Sequence, residues 1–388
     1  MIQMVSLGDI CDIKIGRTPP RKQPQWFSES HGIKWVSIKD MGNTGKYISQ
    51  TSEFLTADAI KKFNIPIIPA GTLLMSFKLT VGRLGFTEYD MCSNEAIAQL
   101  PIKDPDMVDK NYLYYYLKNF NFGSLSSTSS IATAVNSKTV KNISVNLPPL
   151  DQQKKIADIL SSLDEKIELN RRMNETLEQL GQALFRHYFV DNPAAKNWKR
   201  GVISDLGEVV TGKTPSKKNQ KFFGDEVAFL KVPDMHKTSI VIKTADNLSL
   251  MGAESQKAKY IPKWSTCVSC IATVGVVSLA GKNMQTNQQI NSIVPRKPCF
   301  KFFNYFLMRH KSDYIKTLAS SGSATPNLNM GHFSNITVVM PDRELLKDFD
   351  TRVSHLFIQM ENNLQENETL INIRDSLLPK LISGGIEV

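Results

Sequence analysis

At 388 residues the chain is long enough for two or three domains of roughly 150 residues each, and 41% apolar content can build real cores. No apolar run approaches the ~18–20 residues of a membrane-spanning helix, so no such helix is expected. The formal charge of +10 and a pI near 9.2 favour a polyanionic partner without establishing one.

The opening residues MIQMVSLGDI have neither a basic n-region nor an apolar h-region, so no signal peptide and a cytoplasmic location are expected. The first feature is then the turn GRTPPRK, Gly16–Lys22, followed by Trp26 and Phe27. Strands are expected at GIKWVSIKD and GTLLMSFKL, a helix at DKNYLYYYLKNF and a strand at NISVNL. Residues 1–147 read as one α/β (α+β) globular domain. From Asp151 to about Phe189, apolar residues return every three or four positions without an internal proline. Bounded by PPLD and DNP, this predicts a long helix within residues 148–190, with Asp151 as its N-cap. Such a helix spans ~60 Å. A second globular series, residues 191–341, contains the turn GKTPSKK, Gly212–Lys218, followed by Phe222 and Phe223. A second long helix, within residues 342–388, runs from about Asp342 to Ile382 and stops at Gly384-Gly385.

The two series are copies. NETL occurs at Asn174–Leu177 and Asn367–Leu370, 193 positions apart. The same offset relates NISV at Asn142 to NITV at Asn335, and TVG at Thr80 to TVG at Thr273. The two turns are 196 apart, and WVSIKDM and FLKVPDM, starting at Trp35 and Phe229, are 194 apart. Order is kept and only small indels are needed, so the chain is a tandem duplication of one long unit. Two long helices in one duplicated chain can bury their apolar stripes on each other. The expected arrangement is an antiparallel coiled coil with a pseudo-two-fold.

A 4-3 reading of the first helix gives the seam Ile156, Leu160, Leu163, Ile167, Asn170, Asn174, Leu177, Gly181, Leu184, Tyr188. In the second it gives Phe349, Val353, Leu356, Met360, Asn363, Asn367, Leu370, Arg374, Leu377, Leu381. Asn170 and Asn363 lie near the midpoints, which meet in an antiparallel pair. Seam asparagines hydrogen-bonded across the pair would fix orientation and register at a cost in stability. The competing reading faces them to a wet gap or to a partner.

No catalytic motif emerges. GxxxxGK[ST] and GxGxxG are absent. NLPPL at Asn146–Leu150 resembles the NPP[YF] loop of amino-methyltransferases, but a leucine interrupts it and no aromatic follows. PDRELLK at Pro341–Lys347 has the wrong carboxylate-to-lysine spacing for a nuclease and reads as a helix start. Cys267 and Cys270 form a CxxC, yet at the repeat offset they face Leu74 and Phe77, so packing is expected rather than a metal site. What remains is basic surface. Arg17, Arg21 and Lys22 on one turn, and Lys213, Lys217 and Lys218 on the other, suit phosphate contact. Lys39, Lys78 and Arg83 in the first copy, and Lys221 and Lys231 in the second, complete the DNA-binding candidates. An ordinary solvated turn explains either loop taken alone.

Four stretches carry a family resemblance that extends over the whole chain. LPPLDQQKKIADILSSLDEKIELNRRMNETLEQLGQALFRHYF, Leu147–Phe189, resembles the central helix of the specificity (S) subunits of Type I restriction–modification systems. IRDSLLPKLISGGI, Ile373–Ile386, resembles their C-terminal helix end, and GRTPP and GKTPS the turn near the start of each target-recognition domain. MPDRELLKDF departs from the PPLxxQ helix entry, so equal entry of the two helices is not implied.

The resemblance implies that each globular part reads one half of a split double-stranded DNA site through major-groove contacts. It implies that the antiparallel helices act as a spacer and that the subunit itself is non-catalytic and binds no cofactor. Two methyltransferase (M) subunits would use S-adenosylmethionine to methylate adenine N6. Restriction (R) subunits would add translocation and cleavage using ATP and Mg²⁺. A ~60 Å helix pair could hold two domains roughly one DNA turn, about 34–36 Å, apart. Three alternatives compete: a self-contained restriction–methylation enzyme, a coiled-coil scaffold without a DNA role, and a stand-alone two-domain repressor needing no methyltransferase.

Overall fold

The computed structural model describes residues 3–42, 45–126, 136–236, 238–320 and 325–388. The chain divides into two compact units, Met1–Glu168 with Thr369–Val388, and Leu169–Glu368. Both divisions fall inside the long helices, Leu150–Phe185 and Arg343–Ile382, so each unit holds one globular domain and part of both helices.

In the first unit a five-stranded sheet has the order β2-β10-β7-β8-β5, formed by Lys14–Ile15, Ile97–Leu100, Leu73–Ser76, Leu84–Thr87 and Tyr47–Ile48. A four-stranded sheet, β3-β6-β4-β9, pairs Phe27–Ser28, Glu53–Leu55, Ile33–Val36 and Cys92–Ser93. The two-stranded sheet β1-β11 joins Gln3–Ser6 to Ser144–Leu147.

The second unit repeats this plan. Its five-stranded sheet, β13-β21-β18-β19-β15, is Gly207–Thr211, Ile290–Pro295, Thr266–Ser269, Val277–Ala280 and Ile240–Val241. Its two-stranded sheet pairs β12, Lys199–Val202, with β22, Thr337–Met340. The four-stranded sheet differs at its margins: β16-β14-β20-β17 is Asp246–Leu248, Phe223–Leu230, Met284–Thr286 and Tyr260–Ile261. Here β14 covers in one strand, with a register shift between Phe223 and Val227, what β3 and β4 cover in two. The tandem α/β duplication expected from the repeats is the architecture found.

Each five-stranded sheet is covered by a ten-residue helix, Lys110–Asn119 or Lys301–His310. Asp109 caps the first by accepting from Tyr112 N at 2.8 Å. The long helices complete the same cores. Ile156, Leu160, Leu378 and Leu381 join Phe86, Tyr112 and Tyr115 in unit 1. Phe185, Phe349, Val353, Phe357 and Met360 join Phe302, Phe303 and Phe306 in unit 2. The apolar face of each helix is therefore wider than a 4-3 seam, as expected for a helix that packs on a domain as well as on another helix.

The entry of the first helix differs from the sequence expectation. It begins at Leu150, which puts Asp151 inside its first turn rather than at the cap. The fastening residue is Gln153, only 1% exposed. Its amide donates to Pro148 O and Met107 O and accepts from Asp109 N, at 2.9, 3.0 and 3.0 Å. One side chain thus ties the long helix to the start of the ten-residue helix. In the second copy the corresponding residue is Leu346, buried in the apolar core. That is the physical content of the lost PPLxxQ pattern.

Candidate nucleic-acid interface

The two turns are fastened by the same device. Gly16 N donates to Ile97 O at 3.2 Å and Arg17 N to Ser93 O at 2.8 Å. Gly212 N and Lys213 N make the matching bonds to Ile290 O and Thr286 O, at 3.1 and 2.9 Å. A Cβ on Gly16 would lie 2.2 Å from Ser93 O, and one on Gly212 2.2 Å from Asn287 O. Only glycine fits where the backbones touch. Thr18 then donates to the Glu95 carboxylate, and Thr214 to Gln288 Oε1 at 2.5 Å. The phrase G-basic-T-P is thus half of a clasp. The other half, Ser93-Asn94-Glu95 and Thr286-Asn287-Gln288, also recurs at the 193 offset and was missed from sequence.

Topology gathers several loops at the clasp. Ile15 pairs with Ala98, Ile97 with Ser76 and Met75 with Leu84, all antiparallel, while Tyr47 pairs with Phe86 in parallel. The end of β2, the β7–β8 hairpin and the approach to β5 therefore share one end of the sheet. Arg83, on that hairpin, donates to Ile38 O at 2.5 Å and draws the short helix Ile38–Met41 to the same place. The register of β13, β21, β18, β19 and β15 gathers the second turn and the β18–β19 hairpin in the same way.

The candidate cations divide into two sets. Four are held by the protein. Arg17 donates to Phe63 O and Asn64 O at 3.1 and 3.0 Å, closing the C-terminus of the helix Ala57–Phe63. Arg21 lies 4.5 Å over both Phe27 and Trp35 and 2.6 Å from Glu53. Arg83 is half-buried against Ile38 O, and Lys231 reaches Asp246 at 2.6 Å. The other seven, Lys22, Lys39, Lys78, Lys213, Lys217, Lys218 and Lys221, are exposed, and none has an ion-pair partner among the described residues. The aromatics after the turns are anchors. Trp26 meets Phe63 edge-on at 5.5 Å, Phe27 meets Trp35 at 5.8 Å, and Phe223 packs on Phe229 and Leu248.

The helix seam is polar where the asparagines stand. Asn170 is fully buried and donates to Asn367 Oδ1 at 2.9 Å and Glu366 at 2.7 Å. Asn363, 3% exposed, donates to Asn174 Oδ1 at 2.8 Å, and Asn174 donates to Met360 O at 3.2 Å. The pairing is antiparallel. It is also staggered: Asn170 meets Asn367 rather than Asn363, because the helices cross midway between the two asparagines of each. Leu177, Leu184 and Leu356 pack against the unit 2 core beside this seam. In unit 1, Leu377 packs with Leu378 and Leu381, while Leu163, Ile167 and Leu370 are half-buried.

Burial raises the thiols of Cys11, Cys92, Cys267 and Cys270 to about 12, so they stay protonated at neutral pH. Cys267 and Cys270 pack into two different apolar clusters, as three-residue spacing along a strand dictates. Among the described residues no group of three or more His, Cys, Asp or Glu side chains is placed to share a metal ion. No helix among them is long and apolar enough to cross a membrane.

Comparison with known proteins agrees with this architecture. Residues 2–179 and 195–366 match the family described as the Type I restriction modification DNA specificity domain. The chain is 37% identical to the Type I restriction enzyme HindI specificity subunit of Haemophilus influenzae, over 64% of this chain and 70% of that protein. It is 25% identical to the MjaIX specificity subunit of Methanocaldococcus jannaschii, over 98% of this chain and 93% of that protein. A crystal structure of a Type-I restriction-modification S subunit from M. genitalium shares the fold, with a TM-score of 0.60 at 14% identity, covering 98% of this chain and 96% of that one.

Proposed function

The chain belongs to the Type I restriction–modification DNA specificity family, and we propose that each of its globular domains reads one half of a bipartite double-stranded DNA target. The observation that carries this reading is the duplicated sheet end. One clasp is built twice, and the exposed side chains around it differ: Lys22, Lys39 and Lys78 in one copy, Lys213, Lys217 and Lys218 in the other. Lysines on rigid turns neutralise phosphates and set position, while neighbouring side chains read base edges. Two unlike reading heads call for an asymmetric target.

The helix pair sets the distance between half-sites, and the buried asparagines hold its register. This chain's role is recognition, with no catalytic step and no cofactor of its own. Two methyltransferase subunits recruited by it use S-adenosylmethionine, and restriction subunits use ATP and Mg²⁺. Methylome sequencing of a host with and without this chain tests the reading. The expected result is loss of one bipartite motif; an unchanged methylome overturns it. Removing one heptad from both helices should change the spacer and leave the half-site bases unaltered. A chain that binds DNA tightly alone and captures no methyltransferase subunit would instead be a repressor.

A further inference from the structure

The β7–β8 hairpin at the sheet end carries a side chain that nothing in its own domain explains. Leu79 is 94% exposed at a φ of +61°. Its counterpart Ala272 has a φ of +62° and is also exposed. The hairpin needs the left-handed conformation twice, because Gly82 and Gly275 both sit at a φ of +88°. At Gly82 a side chain is forbidden, since a Cβ would lie 2.5 Å from the Phe122 ring. At residue 79 glycine would relieve the backbone, yet both copies carry a side chain there.

The tip is held firmly. Gly82 N and Arg83 N donate to Ser76 O and Oγ at 2.9 and 3.0 Å. Gly275 N and Val276 N repeat this on Ser269, both at 2.9 Å. A strained apolar side chain on a rigid tip, beside the exposed Lys78 and Thr80, has its contact surface outside the protein.

We propose that Leu79 is a specificity-determining residue that contacts a thymine C5-methyl group in the major groove of one half-site. The inference rests on the DNA-reading function proposed above. The base-edge feature an aliphatic tip can recognise is that methyl group, and alanine at the matching position makes the same kind of contact with shorter reach. A wedge driven between base pairs would need bulk in both copies, which Ala272 lacks.

Leu79→Gly tests this without risk to folding, because glycine relaxes the positive φ. The variant is co-expressed with the cognate methyltransferase subunits and its methylome compared with that of the unaltered chain. One position of one half-site should relax from T·A towards other pairs, with discrimination falling roughly fivefold to tenfold. The other half-site and the spacer should not change, and Leu79→Ala should fall between the two. If Leu79→Gly writes the same motif at the same level, the inference is overturned and the function stands. If its methylation falls equally at all sites without relaxed discrimination, Leu79 is not a base reader. If the unaltered chain writes no bipartite motif, both readings fail.

Discussion

The same junction between helix pair and domain is built from charge in one unit and from aromatic rings in the other. In unit 1, Asp164 is only 8% exposed. It receives Arg374 at 2.6 Å, Tyr115 OH at 2.8 Å and Lys118 at 3.6 Å. Lys46 donates to Ser161 at 2.8 Å beside them, around a cavity of about 310 Å³. At the repeat offset, Asp164 corresponds to Phe357 and Arg374 to Gly181. Phe357 stacks on Phe302 at 4.5 Å and meets Phe306 at 5.6 Å. A Cβ on Gly181 would lie 2.6 Å from Phe306 Cζ, so a ring fills the space that an arginine takes in the other copy. The backbone plan survives either filling. What differs is how each junction fails: a buried ion network fails when one charge loses its partner, an aromatic cluster when a void opens.

The largest expected effect is at the rings. Phe357→Ala should cost unit 2 about 3–5 kcal/mol, read as a fall in the urea midpoint at unchanged slope. Arg374→Ala should cost unit 1 about 3 kcal/mol, because Asp164 keeps its tyrosine and lysine but loses its bidentate-capable partner. A larger loss for Arg374→Ala would show that the network is the stronger of the two.

The seam should respond in the opposite sense. Replacing Asn170, Asn174, Asn363 and Asn367 together by leucine removes two buried and two half-buried amides and leaves no widowed partner among them. Stability should rise by about 1–3 kcal/mol while a single register is no longer specified. A higher melting temperature together with a methylome of unchanged spacer would disprove the register lock.

Alkaline pH separates the junctions further. Burial raises the phenols of Tyr112, Tyr114 and Tyr115 in unit 1, with the Asp164 charge adding to it at Tyr114 and Tyr115. In unit 2 burial raises the fully buried Tyr305 and the half-buried Tyr188 and Tyr260, and Phe306 and Phe357 cannot titrate. Above pH ~10 the unfolded chain loses these phenolic protons and the folded chain keeps them. Stability contributed by the raised groups is therefore complete below pH ~10 and lost as pH rises beyond it, by up to about 1.4 kcal/mol per pH unit for each tyrosine. Lys118 and Lys46 act oppositely: burial lowers both, so the unfolded chain binds more protons and stability rises with pH between their folded values and ~10.4. Unit 1 should unfold first in a pH 10–11.5 series followed by tyrosinate absorbance. Simultaneous loss of both units would contradict the division of charge described here.

Much of this was legible in the residues. The 193 offset announced two copies, and the sheets repeat strand for strand where the copies keep length. The turns could be read as turns because glycine and proline act locally. Their clasps could not, since Gly16 is required by carbonyls nearly 80 positions on. The roles of the arginines were hidden for the same reason: Arg17, Arg21 and Arg83 resemble free cations until Phe63, Glu53 and Ile38 are brought to them. Asp164 and Arg374 are 210 positions apart, and the 4-3 reading placed Arg374 on a seam without a counter-charge. The asparagines were visible, but the crossing point that pairs Asn170 with Asn367 depends on how the helices meet.

The division of cations makes the smallest and most specific prediction. Turn 2 carries three exposed lysines with no ion-pair partner among the described residues, Lys213, Lys217 and Lys218, whereas turn 1 carries only Lys22 of that kind, its two exposed arginines being engaged with Phe63, Asn64 and Glu53. Each lysine that neutralises a phosphate releases condensed counterions, and contributes about 0.9 to the slope of log affinity against log salt. Replacing the three lysines of turn 2 by alanine should reduce that slope by about 2–3, and Lys22→Ala by about 1, measured in the complex with its methyltransferase subunits. Thermal stability should move by no more than about 0.5 kcal/mol, because these side chains touch nothing that holds the fold. If replacing Arg17, Arg21 and Lys22 together by alanine reduced the slope as much as the three lysines of turn 2, Arg17 and Arg21 would leave their carbonyls and carboxylate to meet DNA. The domains would then differ in how their cations are stored before binding rather than in how many reach the phosphates.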